Sequence, residues 1–241
     1  MTKKPLFFLA ILAIILLGTF PPDAVGQGRK AFGYQNLQHH DEKPYHFGFS
    51  LGINRMNFAL KQVEETPNFD YVLPEPDLGF HIGIVSNLKL DNYLDLRFIP
   101  TLSFGDRYIE FYPDGYPPEP SDEIQHLTAT VMEFPLHLKY KSARMINTRA
   151  YVIGGFKYSH DLASLDDKEG DELRLALARN DIHYELGVGF DHYFYYFKFA
   201  IEVKASFGIS DLKRRVEQMD RYYNPIDRLS SQTIMVSFLF E

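Results

Sequence analysis

The residues from 233 to 240 alternate without a break. Ile234, Val236, Phe238 and Phe240 fall on one side, and Thr233, Met235, Ser237 and Leu239 on the other. Strand side chains point to opposite faces with period two, so this segment is a strand with one wholly apolar face. The same alternation runs from 197 to 209. Its odd positions are Phe197, Phe199, Ile201, Val203, Ala205, Phe207 and Ile209; its even ones are Lys198, Ala200, Glu202, Lys204, Ser206 and Gly208. Such length, with charge on one face and hydrocarbon on the other, suits a closed barrel in lipid better than a soluble sheet.

Six further segments read as strands: 46–54, 78–88, 93–104, 128–140, 148–159 and 182–192. Phe47, Phe49, Leu51 and Ile53 face out of the first, and Ile182, Tyr184, Leu186, Val188 and Phe190 out of the sixth. The connections carry a second pattern. Long, proline-rich or acidic stretches (60–77, 105–125, 161–181, 211–229) alternate strictly with short ones near Asp91, at 142–147 and at 193–195. Outer-membrane barrels have short periplasmic turns and long extracellular loops, so this order implies one. The predicted fold is an all-β, eight-stranded antiparallel up-and-down transmembrane barrel of the outer membrane, spanning 45–241. Pro100 and Pro135 fall inside strands paired on both sides, so each implies a bulge or a lost ladder bond. The stretch 172–178 alternates in a different phase and reads either as a short helix or as a bulged extension of the next strand.

Lys3 and Lys4, the apolar run 6–17 and the small residues at 24–26 form a secretory signal, with cleavage expected between Gly26 and Gln27. Residues 27–44 then form an extended, polar periplasmic lead, on which the His39–His40 pair is solvated. The chain has no cysteine, so the fold holds without disulfides or thiolate metal sites. Net charge of −7 argues against nucleic acid as a partner. The 21 Phe and 16 Tyr supply material for aromatic girdles at both membrane interfaces. A mean hydropathy of −0.23 is no objection, because inward polar residues cancel outward apolar ones.

The inward faces bring together Arg97, Glu133, Arg149, Lys157, Glu185, Asp191, Lys198, Glu202 and Lys204. An eight-stranded barrel has room only for side chains, so these charges must pair to offset desolvation, forming a structural network and not a channel. Near the loop ends His160, Asp161, Asp181, His183, Ser210 and Asp211 are the residues from which an enzyme would draw. No nucleophile motif, phosphate loop or metal spacing accompanies them. His126 and His137 stand alone, and the acidic run 166–172 reads as a solvated loop tip. No catalytic, cofactor or metal residue is assigned, and no small-molecule substrate emerges. A surface adhesion barrel and an outer-membrane barrel enzyme are the competing functions; a soluble carrier with its apolar face inside is the competing fold.

Several stretches resemble the PorT family of the type IX secretion system. They are Glu-Phe-Pro-Leu-His-Leu-Lys-Tyr-Lys-Ser at 133–142, Arg-Ala-Tyr-Val-Ile-Gly-Gly at 149–155 and Tyr-Glu-Leu-Gly-Val-Gly-Phe-Asp at 184–191. Asp-Leu-Ala at 161–163, Phe-Lys-Phe at 197–199, Glu-Val-Lys at 202–204, Arg-Leu-Ser at 228–230 and the ending Ser-Phe-Leu-Phe-Glu continue the likeness. The resemblance implies a non-enzymatic outer-membrane component of the machine that carries cargo out, with other secretion components and outer-membrane lipid as partners. Ile234, Val236, Phe238 and Phe240 would then form the insertion signal, with Phe240 its terminal aromatic.

Overall fold

The computed structural model describes residues 34–63, 69–113, 124–162, 177–213 and 226–241. The expected signal segment and its cleavage site at Gly26–Gln27 lie outside these residues. Nine strands form in chain order: β1 (Tyr45–Gln62), β2 (Phe69–Lys89), β3 (Leu94–Phe98), β4 (Thr101–Pro113), β5 (Ile124–Lys141), β6 (Thr148–Asp161), β7 (Asn180–Tyr193), β8 (Lys198–Gly208) and β9 (Ile226–Phe240). All pairs are antiparallel, and β1 pairs with both β2 and β9, which closes the sheet. β3 and β4 both lie between β2 and β5, so the ring holds eight strand positions. This is the predicted up-and-down barrel. One rim carries the start of β1, the end of β9 and the β2–β3, β5–β6 and β7–β8 connections. We term it the turn rim, and the opposite one the loop rim.

Outward side chains form a lipid-facing band. On β1 it runs from Tyr45 to Ile53, all exposed at the odd positions, and ends at Arg55. About nine residues at ~3.3 Å each, tilted about 40°, cover roughly 23 Å, close to the apolar height of such barrels. Two belts of aromatic rings edge the band. At the turn rim Phe49 stacks on Phe240 at 4.8 Å and Phe194 meets Phe197 at 5.1 Å. At the loop rim Phe80 stacks on Phe104 at 4.8 Å and Tyr184 on Phe207 at 5.1 Å.

Neither in-strand proline shifts the strand register. Phe98 pairs with Leu136 and Thr101 with Glu133, so no register shift separates β3 from β4. In that unbroken register Ile99 and Pro100 stand opposite Pro135 and Phe134. Pro100's missing donor falls on the side of β2, the side its carbonyl faces, and the pairings run on past both prolines without a bulge. Pro100 still contributes its carbonyl, which accepts from Ile84 N–H at 3.0 Å.

Strands reach farther past the band than the alternation implies. The expected 60–77 loop is largely strand: β1 continues to Gln62 and β2 starts at Phe69, with Pro74 and Pro76 inside it. β4 extends to Pro113, β5 starts at Ile124 and β9 at Ile226, so the expected loops 105–125 and 211–229 are also shortened. A β-bulge explains the hidden half of β2. Pro76 pairs with Arg107 but Phe80 with Phe104, one extra residue on β2, and pairing with β1 ends there at Met56–Asp77. Beyond it β2 keeps only β4 as neighbour, and a strand with a free edge tolerates proline. Of the ambiguous stretch 172–178 only Leu177 and Ala178 are described, and Leu177 bridges Lys213.

Closure of the ring predicts that detergent-extracted protein migrates at a different position on gels when unboiled than when boiled. Identical mobility in both states would contradict a closed barrel.

Candidate functional site

Inward positions fill the lumen, and the paired charges there set its character. Every one of the nine residues expected to line it is buried. Arg97 binds Glu202 at 2.8 Å through Nη1 and reaches Glu241 at 3.4 Å through Nη2, while Lys198 Nζ holds Glu241 at 2.7 Å. Tyr151 donates its hydroxyl to Glu202 at 2.8 Å. Lys139 donates to both Asp191 oxygens at 2.9 and 2.8 Å, and its ammonium sits 3.6 Å from the Tyr151 ring centre. Nearer the loop rim Lys157 bonds Glu133 at 2.7 Å and pairs with Glu185 at 3.4 Å; Ser103 donates to Glu133 at 2.9 Å. Eight of the nine thus enter ion pairs. Among the described residues Lys204 has no direct ion pair.

Several participants escape sequence reasoning. Glu241 reads as an odd ending after the terminal aromatic, yet its side chain is fully buried in the Arg97–Lys198 pair. Its position one step past outward-facing Phe240 was the available signal. Asp95 and Lys141 pair at 2.5 Å, with Asn87 donating to Asp95 at 3.0 Å. His137 is no lone histidine: its Nε2 lies 2.6 Å from Glu185. For His126 only the backbone, in β5, is described. Apolar side chains (Val85, Ile99, Ile153, Ala200 and Leu239) pack with Tyr151 and exclude water around the ion pairs.

Both ends of the lumen are covered. At the turn rim residues 35–44 do not run as an extended lead; they fold back, with a 3₁₀ turn at His40–Glu42. Asp41 receives Arg149 Nη2 at 2.9 Å, the Tyr193 hydroxyl at 2.9 Å and Arg144 Nη1 at 3.4 Å. Asn36 donates to Asn147 and to the Tyr193 carbonyl, and Lys89 donates to the Asp41 carbonyl at 2.7 Å. His39 is solvated as expected, but His40 stacks on His46 at 4.2 Å. At the loop rim the cover is apolar: Phe58, Val72, Ile109, Leu177, Leu212, Ile226 and Leu229 form one buried cluster. The Arg107 guanidinium lies 4.4 Å from the Phe58 ring centre beneath it and reaches Asp161 at 3.4 Å.

Between this cluster and the ion pairs lies a cavity of about 30 Å³, bordered by Arg107, Lys157, Ser159, Asp181 and His183. That is space for one or two waters, not for a substrate. Ser159 Oγ lies 2.9 Å from His183 Nε2, and Asp181 Oδ2 lies 3.2 Å from the same nitrogen. A nucleophile–base–orienter triad needs its serine and carboxylate on opposite ring nitrogens. Among the described residues Nδ1 of His183 has no hydrogen-bond partner, and the serine and carboxylate share Nε2, so the three form a buried polar cluster without triad geometry. His160 instead meets Asn180 at 2.6 Å, and Asp211 accepts backbone N–H groups of Lys213 and Leu229 at 3.1 Å. Among the described residues no group of three or more His, Asp or Glu side chains could hold a metal ion.

A closed β-barrel with a lipid-facing band and an ion-paired interior defines a membrane-embedded barrel of the outer-membrane class. The chain belongs to the outer membrane protein beta-barrel domain family, which it matches over residues 33–214. Among solved structures it is similar to the outer membrane protein OprG from Pseudomonas aeruginosa, at 10% identity over 86% of this chain and 95% of that one, with a TM-score of 0.41. It is similar too to Ail, the attachment invasion locus protein of Yersinia pestis (11% identity, 82% and 98% coverage, TM-score 0.36). The N-terminal β-barrel domain of Pseudomonas aeruginosa OprF matches at 14% identity, with 79% and 96% coverage and a TM-score of 0.30. No curated protein matches the chain.

Two outcomes follow from this geometry. Replacing Glu241 by Gln leaves Arg97 and Lys198 short of a buried counter-charge and is expected to cost about 3–5 kcal/mol in reversible urea unfolding from detergent. The exposed Lys61→Ala change should shift the same midpoint by less than about 1 kcal/mol. The second concerns Asp41. Burial raises its carboxyl, but the neighbouring His40 ring (Nδ1 at 3.9 Å), Arg149, the Tyr193 hydroxyl and Arg144 outweigh burial and hold it well below the ordinary carboxylate range. A depressed folded-state value means the stabilisation is complete above the unfolded carboxylate value, roughly pH 4, and is lost only as pH falls toward the lower folded value. Amide exchange of residues 36–43 should therefore stay slow down to about pH 4 in the parent protein. It should be fast at neutral pH in Asp41→Asn.

Proposed function

We propose that this protein is a non-enzymatic scaffold of the bacterial outer membrane that serves type IX secretion, needed for cargo to cross that membrane while not being the conduit. The filled lumen carries the scaffold half of the reading. Arg97, Lys139, Lys157, Glu185 and Glu202 occupy the space a solute would need, and eight strands enclose no more than side chains can fill. A barrel that passes nothing acts through its surfaces: its rims, its loops and its lipid-facing wall.

The secretion half is supported by the resemblance to the PorT family, most of whose stretches lie on strands that line the lumen. Glu133, His137, Lys139 and Lys141 all come from the 133–142 stretch; Glu185 and Asp191 from 184–191; Lys198, Glu202 and Glu241 from the rest. The stretches that carry the likeness thus supply many of the side chains that fill the lumen. In this reading the loop rim faces outward, and the turn rim with residues 27–44 faces the periplasm. That orientation follows the short-turn rule of outer-membrane barrels. Other secretion components would dock at either rim.

A clean deletion is expected to leave signal-processed cargo in the periplasm while outer-membrane integrity survives. Normal cargo export in that strain would defeat the proposal. Purified protein in planar bilayers should show no stepwise conductance; open-channel events would remove the scaffold half.

A further inference from the structure

The outer wall above the loop-rim aromatic belt is electrostatically divided. On β1 and β9 the outward positions past the band carry Arg55, Lys61 and Arg228, all exposed. On β2 and β4 the corresponding stretch carries Glu75, Asp77, Asp106 and Glu110. The cationic side also holds a groove of about 310 Å³, bordered by Lys61, Arg228, Ser230, Gln232, Tyr184 and Phe207. Small residues, Ala59 and Gly208, keep its floor low. The register orders it along the barrel. Tyr184, Phe207 and Gln232 share one level at the band's edge, Ser230 pairs with Ala59 above them, and Arg228 pairs with Lys61 above those. The groove is therefore aromatic where it meets hydrocarbon, hydroxylic in the middle and cationic at its far end.

We propose that this groove binds the phosphorylated head group of a glycolipid in the outer leaflet; the assignment rests on the reading that the loop rim faces outward. Arg228 and Lys61 take the phosphate, the guanidinium as a planar fork and the ammonium as a point charge. Ser230 and Gln232 face sugar hydroxyls, and the stacked Tyr184–Phe207 pair lies against the sugar and first methylenes. Lys61 pairs with the half-exposed Asp227 at 2.7 Å, and Arg228 donates to the Ile209 carbonyl at 2.6 Å, both at the exposed end of the groove. A phosphate offers both a full negative charge without displacing any buried group. The volume falls in the range of small-molecule sites, about 300–1,000 Å³. The acids on β2 and β4 repel the same head group, which confines it to one side.

Native mass spectrometry of the full-length protein, extracted in mild detergent and then reconstituted in nanodiscs of stated lipid, tests this. The parent protein should retain about one phosphorylated glycolipid per barrel, and Lys61→Gln/Arg228→Gln should hold it at least about tenfold more weakly. The opposite-side control Glu75→Gln/Asp106→Asn should match the parent, and unboiled gel mobility confirms that each variant is folded. Equal retention by the cation variant and the parent would overturn the proposal. Competition by inorganic phosphate at the same affinity would reduce the groove to an ion site and overturn the lipid assignment. Preference for phosphatidylglycerol over the glycolipid would place the loop rim in the inner leaflet, overturning both the ligand and the orientation. None of these outcomes depends on cargo export in the deletion strain, so the two readings fail separately.

Discussion

Burying charge inside a ring of eight strands is the constraint on which the rest of this molecule depends. An ion taken from water is stabilised only by a close, well-bonded partner. Here those partners come from different strands: Glu241 follows β9, Lys198 and Glu202 lie on β8, Arg97 on β3, Tyr151 on β6, Lys139 on β5 and Asp191 on β7. One connected set of contacts thus ties six of the eight strand positions together. The same residues punish misregistration. Sliding any strand by one residue turns its inward set outward, which would strand Lys198, Glu202 and Lys204 in lipid and leave Arg97 without its acid. The lipid outside and the ion pairs inside select the same register independently.

Where the backbone departs from an ideal barrel, the departures are grouped so that little is lost. Pro100 stands opposite Phe134 and Pro135 opposite Ile99 in an unshifted register, so each removes a donor without adding a bulge. Pro74 and Pro76 lie beyond the bulge on β2, where β1 no longer pairs and no ladder remains on that edge to be broken. Apart from the donors missing at Pro100 and Pro135, the membrane-spanning part keeps a regular ladder, and the bulge and the other prolines of β2 lie past the loop-rim aromatic rings, where water can satisfy what the ladder does not.

How much of this could be read from the residues follows from the range of each signal. Period-two alternation is local, so the eight spanning strands, their facing and the short–long order of connections were legible before any coordinates. The upper half of β2 was not, because the bulge reverses its phase: Leu78, Phe80 and Ile82 face out below it, whereas Leu73 and Glu75 face out above. Prolines inside that half then imitate a loop. The Asp41 cap was invisible for a different reason. It joins residue 41 to residues 144, 149 and 193, and nothing in the polar stretch around His39–Glu42 distinguishes a docked carboxylate from a solvated one. Lumen charges could be collected by parity, but their pairing could not, since parity fixes the face and not the partner across the ring.

The two closures of the lumen differ in kind, and the difference bears on where the molecule can act. The loop-rim cover is apolar and continuous with the extended strands, so opening it would expose Phe58, Ile109, Ile226 and Leu229 to water. The turn-rim cover is polar: one carboxylate, two guanidiniums, a phenol and a few amides, each of which water or another carboxylate could replace. An apolar lid is stable because its disruption has no compensating partner, whereas a polar cap can be exchanged contact for contact. Between them lie the ion pairs of β3, β5, β6, β7 and β8, which neither closure needs in order to form. Displacing the Asp41 segment would therefore bare a cationic and aromatic mouth around Arg144, Arg149 and Tyr193 without opening a path through the barrel.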